Sequence, residues 1–370
     1  MAEADFAVVG GGLVGMAIAY GLQRRGRQVT VFDEGDVAYR ASRGNFGLIW
    51  VQGKGAEMPN YARWTRLSAS LWAEFAAELK HETEVDVELI QSGGLDICLS
   101  EAELEERSAR LGELRQALDG DYPFESVGHA RLRKMLPEIG SSVAGATFFP
   151  EDAHTNPLFL LRALFAAFKA RGGRVTNGNP VRSITPRDGA FRIDTGVTSE
   201  AAQVVLTAGL GNERLAPMVG LKAPVRSIRG QVLICERVRH FLDYPTVQIR
   251  QTANGSVQIG DSKEDVGFDD RTSPRVVAAI ARRATRIFPL LENVRVVRAW
   301  GALRIMSPDG HPVYDCSVEH PGAHLVTCHS GVTLAAAHTL VLADWIAGAE
   351  PSIPYLETFS AKRFELSPAV

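Results

Sequence analysis

Gly10, Gly12 and Gly15 are spaced as G-x-G-x-x-G near the start of the chain, and residues of this type at this spacing bind phosphates. Gly10 permits a tight turn, Gly12 lets a pyrophosphate approach the backbone, and Gly15 lets a helix pack closely on a strand. Asp33 follows about 20 residues later, the usual distance for a carboxylate that binds ribose hydroxyls. The motif alone is weak and needs the right elements around it. Residues 6–9 are an apolar run, read as a buried strand. Residues 13–25 are helical in pattern, and 29–32 form a second apolar strand ending at Asp33. The helix N-terminus would face phosphates with free N–H groups and a favourable dipole. The acid argues against a 2′-phosphate on the ribose, which an arginine would accommodate, so NAD and FAD both remain.

The chain has 370 residues, more than one core usually serves, which predicts two domains. Hydrophobic residues make up 45% and charged residues 22%, the balance of a soluble globular protein. A formal net charge of −3 gives no reason to expect nucleic acid or an anionic membrane surface. The glycine motif starts a few residues after Met1, leaving no room for a signal peptide. Residues 332–347, the most apolar late segment, are too short to span a bilayer and contain His338 and Asp344, so no transmembrane segment is expected. Cys98, Cys235, Cys316 and Cys328 lack C-x-x-C spacing, which suggests reduced thiols in a cytoplasm and no iron–sulfur cluster on this chain. No Ser/His/Asp arrangement or metal-ligand spacing stands out, which argues against hydrolysis and zinc chemistry.

Other elements must complete any site. Residues 41–55, ASRGNFGLIWVQGKG, read as a loop, although Phe46, Leu48, Ile49 and Trp50 are poor surface residues. The Ser, Arg, Asn and Gly content suits backbone contacts to an anionic or heteroaromatic ligand. Trp64, Leu67, Leu71, Phe75 and Leu79 recur at helical spacing over 60–80 and predict a packed face. Residues 85–99 read as strands around Gly93 and Gly94, and 101–118 as a charged helix with Leu104, Leu111, Leu114 and Leu118 on its apolar side. A helix over 157–171 has Pro157 in its first turn and stops at Gly172 and Gly173. Strands follow at 175–184, 191–195 and 203–207. Residues 224–259 are β-rich, with a hairpin signal at Asn254-Gly255. A helix fits 274–288, then come a strand at 294–300, a loop at 302–315, a strand at 324–327 and a helix beginning near Ser330-Gly331. The first and last strand–helix units are alike. Two such units from opposite ends of a chain commonly meet in one nucleotide-binding sheet, with the β-rich middle as an inserted domain.

On these segments the chain resembles the FAD-dependent D-amino-acid oxidase and glycine oxidase superfamily. The motifs are VVGGGLVGMAIAYGL with VTVFD, SRGNFG at 42–47, VVLTAG at 204–209, RGQV at 229–232, SPDGHPVY at 307–314 and CHSGVTLAAAH at 328–338. ASRGNFGLIWVQGKG and CHSGVTLAA are most similar to the branch that holds the β subunits of opine oxidases, D-hydroxyproline dehydrogenases and the hydrogen cyanide synthase flavoprotein. The resemblance implies an α/β fold with a Rossmann-like FAD-binding domain (1–84, 144–222 and 300–370). Into it would be inserted an α+β substrate domain built on a mainly antiparallel sheet (85–143 and 223–299). It implies that Gly10, Gly12, Gly15, Asp33 and Glu34 hold the ADP half of FAD, and that Ser42, Arg43, Asn45, Gly47 and Leu48 lie along the pyrophosphate and flavin ring. Val181 would bond adenine through its backbone, and Ala208 and Gly209 would line the cofactor. Gly331, Val332, Thr333 and Leu334 would sit at the flavin pyrimidine edge, at the start of the last helix, where the dipole stabilises negative charge. Many relatives have glycine in place of Thr333, so its hydroxyl would add a contact to the ring.

Arg304 stands where many relatives carry the arginine that grips a substrate carboxylate, and it counts among the cofactor contacts as well. An Arg fork fits a carboxylate bidentately. A surface salt bridge is the plainer reading of a loop arginine, and Ile305 replaces the proline usual after it. Arg250, in the strand before the Asn254-Gly255 turn, is the second candidate, and Lys54 a further cation. His329 reads either as a contact to ring or substrate or as structural, and His311 as structural. The implied reaction is oxidation of a D-amino or imino acid, such as D-hydroxyproline, or of an opine of the octopine or nopaline type, by hydride transfer from the α carbon to flavin N5. FAD should be non-covalent, since no cysteine stands near Ala302, the position that matches the linking cysteine of sarcosine oxidases. Gln258 occupies the apparent place of a lysine that oxygen-using relatives carry. That points to the catalytic β subunit of a heteromeric amine dehydrogenase with partner α and small iron–sulfur subunits. An FMN or iron–sulfur cluster would lie on, or be shared with, those partners. The complex would be cytoplasmic, with any membrane association through electron transfer. The alternatives are a self-sufficient glycine- or sarcosine-type oxidase using O2, a glycine-oxidising hydrogen cyanide synthase subunit, and a flavin-carrying subunit with no turnover alone.

Overall fold

The computed structural model describes residues 3–35, 41–260, 262–350 and 352–365. Strand β1 (Ala4–Val9) leads into helix α1 (Leu13–Arg24) and strand β2 (Val29–Asp33). A two-residue strand β3 (Leu48–Ile49) precedes the long helix α2 (Pro59–Thr83). An excursion follows: β4 (Gly94–Cys98), α3 (Glu101–Ala117), β5 (Glu125–Gly128), α4 (His129–Met135) and β6 (Gly145–Phe149). The chain returns through β7 (Ala153–His154), α5 (Pro157–Ala170), β8 (Arg174–Asn177), β9 (Ser183–Arg187), β10 (Ala190–Asp194), β11 (Thr198–Leu206) and the short α6 (Asn212–Leu215). A second excursion holds β12 (Arg226–Arg237), β13 (Ile249–Gln251), β14 (Ser256–Ile259), α7 (Pro274–Ile287) and β15 (Val296–Met306). Strands β16 (Val313–Cys316) and β17 (Ala323–Thr327) precede a closing helical run, Ala335–Ala337, His338–Leu342 and Ala343–Ile346, whose middle part is a π turn.

The first sheet has β17, β11, β1, β2 and β8 side by side and parallel, with β16 antiparallel on β17 and the β9–β10 hairpin on β11. Strands from both ends of the chain thus meet in one sheet. Residues 6–9 of β1 read as a continuous apolar run because both faces of the strand are covered there. Phe6 and Val8 pack into the core with α1 and α2, while Ala7 and Val9 pack into the opposite core with Phe32, Val204 and Leu206. The second unit carries two antiparallel sheets, β13-β14-β12-β15 and β4-β6-β5. They share one core, where Leu95, Ile97 and Ala146 meet Leu233, Ile249, Val257 and Ile259, closed by Ile280, Ala284 and Ile287 of α7. Together these form a Rossmann-like α/β unit with an inserted α+β unit.

Several local expectations change. Sheet membership puts β6 and all of β15 with the second unit, past the boundaries expected at 144 and 300. Residues 302–306 are strand, not loop, because β12 pairs with β15 as far as Arg226↔Met306. Residues 313–316 are strand as well. The single strand expected at 175–184 is two, broken after β8 where Gly178 takes φ +85° and Pro180 offers no N–H. One strand, β4, occupies the 85–99 stretch. On α2 the buried stripe is Trp64, Thr65, Ser68, Trp72, Phe75 and Leu79, with Leu67 and Leu71 on its half-buried flank. The last helix starts at Ala335, not near 330. The reason lies in α2: Ser68 Oγ accepts from Ala337 N at 3.2 Å, so that N–H does not close a helical turn onto Thr333. The Thr333 carbonyl accepts instead from Ser68 Oγ at 2.7 Å and Trp72 Nε1 at 3.0 Å.

Candidate active site

Close backbone contacts set the turn between β1 and α1. Gly10 has φ +110°, and a Cβ there would lie 2.6 Å from the Thr207 carbonyl oxygen. A Cβ at Gly15 would run into the carbonyl oxygen of Gly10. Thr207 Oγ1 donates to the Val9 carbonyl at 2.8 Å, which joins the ends of β1 and β11. Ser42 Oγ accepts from Leu13 N at 2.9 Å in the first turn of α1. Asp33 accepts from Gly11 N at 2.6 Å and from Gly35 N at 2.9 Å. A cavity of about 480 Å³ opens on this turn. Gly10, Gly12, Asp33, Glu34, Ser42, Arg43, Val181, Ala208 and Gly209 all lie in its wall, and Gly15 lies behind it. The wall continues past Thr327 and Cys328 at the end of β17 to Leu303 and Ile305 of β15.

The other expected contacts lie outside this wall. Asn45 Oδ1 accepts from Gly47 N at 2.7 Å, so its side chain shapes its own loop. Gly47 has φ +91° and its carbonyl accepts from Thr155 N at 2.9 Å, while Leu48 pairs with His154. Val332 and Leu334 are buried in the main core, which leaves only their backbone to meet a ligand. The Thr333 hydroxyl, expected on a ring, is taken by Trp50 N at 3.1 Å and Lys54 Nζ at 3.0 Å. It fastens the 50–54 loop to the 331–334 turn.

The β13-β14-β12-β15 sheet presents one face to the 44–47 loop. Registers Ile228↔Arg304, Gly230↔Ala302, Val232↔Trp300, Ile234↔Gln258 and Arg250↔Gln258 put these side chains on one side. Trp300 Nε1 donates to the Gly44 carbonyl at 3.2 Å, and Phe46 lies against Gly260. Arg304 lies across Gly230, where any Cβ would collide with its guanidinium, and donates to the Ser262 carbonyl at 2.5 Å. That accounts for the glycine in RGQV. Arg250 is 2% exposed, donates from Nε to the Phe46 carbonyl, and has Nη1 3.3 Å from His154 Nδ1. Burial lowers its pKa to about 10, and burial together with Arg250 holds His154 neutral, near 3. Arg250 thus braces the loop from behind. Gln258 Oε1 is buried without a partner among the described residues.

A cationic group lies where the 50–54 loop meets the end of β17. Lys54 Nζ donates to Ser330 Oγ at 2.7 Å, Tyr61 OH shares Ser330 Oγ at 2.7 Å, and His329 Nδ1 lies 3.3 Å from the same oxygen. Burial pushes Lys54 down to about 7 and the neighbouring Cys328 thiol up to about 12. Burial first, and then the charges of Lys54, Arg304 and Lys263, hold the His329 ring well below its usual pKa. His329 is nevertheless exposed at the surface. Asp152 is fully buried and accepts from Val51 N at 2.6 Å, Gln52 N at 3.1 Å and Gln52 Nε2 at 3.0 Å. Burial still pushes it up to about 7. Reading the sequence singled out Lys54 and His329 but missed Tyr61, Asp152, Lys263 and Trp300. For Trp300 a signal existed in the alternation of β15.

A family model described as DAO, FAD dependent oxidoreductase, matches residues 5–345. The chain belongs to this family. It is 41% identical to the B subunit of opine oxidase from Agrobacterium tumefaciens (strain Ach5) over 372 residues, covering 100% of both chains. It is 40% identical to the corresponding opine oxidase polypeptide of Rhizobium meliloti, again covering 100% of both. The crystal structure of glycine oxidase from Geobacillus kaustophilus superposes with a TM-score of 0.88 at 24% identity, covering 99% of each chain, which shows a shared fold. The chain is therefore an FAD-dependent oxidoreductase, and the cavity fits that cofactor. The N-terminus of α1 opens on it for phosphates. A Cβ at Gly12 would fall 2.8 Å from Ser42 Oγ and narrow the wall. The Thr327 hydroxyl in the wall, 4% exposed, has no partner among the described residues, so it is free to meet a polar ligand.

Proposed function

We propose that this chain is the FAD-binding, catalytic subunit of a heteromeric amine dehydrogenase that oxidises the C–N bond of an opine or a related D-amino or imino acid. The observation that carries the reading is the 41% identity, over both whole chains, to the B subunit of an opine oxidase. Bound FAD supplies the two-electron acceptor. The residues of this chain supply binding and orientation. The β1–α1 turn takes the phosphates, with Asp33 and Glu34 towards the ribose and Val181 towards the adenine. Gly47, Leu48 and the backbone of 331–334 flank the ring. Arg304 holds a substrate carboxylate with paired N–H donors, and the sheet face around Trp300 roofs the reacting carbon and keeps water away. The imine product hydrolyses in water.

Gln258 favours this reading over an air-oxidising glycine or sarcosine type, because a neutral amide does little to stabilise charge developing on oxygen. Electrons would then leave to a partner subunit, which would carry any FMN or iron–sulfur centre. The test is anaerobic mixing of the FAD-loaded chain with octopine, nopaline, D-hydroxyproline and a set of D-amino acids. One of these should bleach the flavin absorbance, and a dye should restore it much faster than air. No bleaching by any compound would overturn the amine reading, and equal recovery in air would make the chain an oxidase.

A further inference from the structure

We propose that Phe268, at the tip of a strap formed by residues 262–271, is a cofactor-binding residue that covers the outer side of bound FAD at the mouth of the cavity. The inference rests on the FAD dependence of the family and is independent of the substrate proposed above.

The strap follows β14 and doubles back on the sheet. On its outward limb Glu264 pairs with Arg229 of β12: Arg229 N donates to the Glu264 carbonyl at 2.8 Å, and Glu264 N to the Arg229 carbonyl at 3.0 Å. On the return limb the carbonyl oxygens of Asp270 and Arg271 stand 2.6 and 3.1 Å from where a Cβ on Gly301 would lie, so the limb rests on glycine backbone. The Arg229 side chain ties the two limbs together. The residue is 5% exposed, its Nη2 donates to Glu264 Oε2 at 2.8 Å, and its Nη1 lies 3.1 Å from Asp269 Oδ2. Gln231 Nε2 and Ser262 Oγ donate to the other Glu264 oxygen at 2.8 and 3.0 Å. Breaking a buried charge cluster by removing one partner is costly, so the base of the strap is fixed. At the tip, Gly267 takes φ +63° and its carbonyl accepts from Ser227 Oγ at 2.5 Å. Ser227 pairs with Ile305, which sets the tip beside the end of β15.

This fixed tip carries an apolar side chain that the protein leaves uncovered. Phe268 is 69% exposed, yet it lines the cavity. It shares the wall with Leu303 and Ile305, and Ile305 reaches within 3.3 Å of a Cβ position on Gly209. The wall is thus polar around the glycine turn and Ser42, where phosphates go, and apolar around Phe268, Leu303 and Ile305, where a less polar stretch of the cofactor would lie. A bound cofactor there covers the ring. Because the tip is already held, little ordering is lost on binding.

The test follows FAD binding to the purified chain by flavin fluorescence. Phe268→Ala should raise the Kd for FAD about tenfold, as expected when roughly half of a phenylalanine side chain is covered. Melting of the FAD-free variant should match that of the unaltered FAD-free chain, since the ring stands mostly in solvent, and Phe268→Tyr should restore most of the affinity. Trypsin gives a second readout. Lys263 and Arg271 are exposed on the strap, and FAD should slow cleavage after them in the unaltered chain but not in Phe268→Ala at saturating FAD. An unchanged Kd in Phe268→Ala, or cleavage of the unaltered chain as fast with FAD as without, would overturn the proposal and leave the ring as surface for a partner chain.

Discussion

Arg304 and Arg250 lie on one face of one sheet, yet their surroundings assign them different work. Arg304 rests on Gly230 at the rim, half-buried, whereas Arg250 is sealed behind Phe46 and His154. Replacing Arg304 with Ala should cost about 2–5 kcal/mol in kcat/KM for a carboxylate substrate, because the carboxylate stays buried without its partner. FAD affinity should not change, and an unchanged kcat/KM would remove Arg304 from the clamp. The buried histidines carry a second expectation. His154 and His338 are held near 3 and His324 near 4, each chiefly by burial. Since an unfolded histidine titrates near 6.5, the unfolded chain takes up about three protons below that pH that the fold refuses. Asp152, raised to about 7, works in the opposite sense, being protonated in the fold and ionised in the unfolded chain. The balance is about two protons, so stability should fall by about 3 kcal/mol per pH unit between roughly pH 6 and 4. Urea midpoints at pH 7, 6 and 5 measure this, and a flat profile would contradict it.

At the scale of elements, α2 governs the turn that follows β17. Two of its side chains converge on one buried carbonyl, that of Thr333, and Ser68 also takes Ala337 N. Trp72→Phe removes one donor and leaves a small void, so it should cost about 1–3 kcal/mol. It should also weaken FAD binding if the 331–334 turn positions the ring. Thermal melts and flavin titration check both, and wild-type stability would refute the tie. The π turn after it has a local cause as well. Gly21 of α1 approaches so closely that a Cβ would lie 2.6 Å from the Thr339 carbonyl oxygen. Arg25 reaches across to bond the carbonyls of Thr339 at 3.0 Å and Leu340 at 2.9 Å. A wider turn leaves carbonyls free, and the guanidinium takes them.

At the scale of the molecule, the cavity lies between the parallel sheet and the end of β15, so both units build it. We infer from sheet membership that the unit boundaries fall after β6 and after β15. No helix of the described residues is long and apolar enough to cross a membrane. Cys328 enters the wall from β17, a cysteine that sequence reasoning did not connect with the cofactor. Its thiol, pushed up to about 12 by burial, stays protonated at neutral pH and is a poor nucleophile. Acid precipitation should therefore release all the flavin, and colour left in the pellet would show a covalent link.

The β1–α1–β2 unit and its glycines were legible in the sequence alone, because the signals there are local: apolar runs, turn glycines and an acid within one strand–helix–strand stretch. Arg304, Gln258 and Lys54 also stood out as candidates, through the resemblance that their neighbours carry. How they meet was decided by the packed fold. β15 runs through Arg304 because β12 pairs with it, and that partner strand lies far back in the chain. Lys54 meets Ser330 and Thr333 across 276 and 279 residues. The last helix starts late because Ser68 intercepts a backbone N–H 269 residues away. Spacing and propensity report what neighbouring residues prefer, whereas hydrogen bonds between distant segments are settled only when the layers pack and each buried polar group finds a partner.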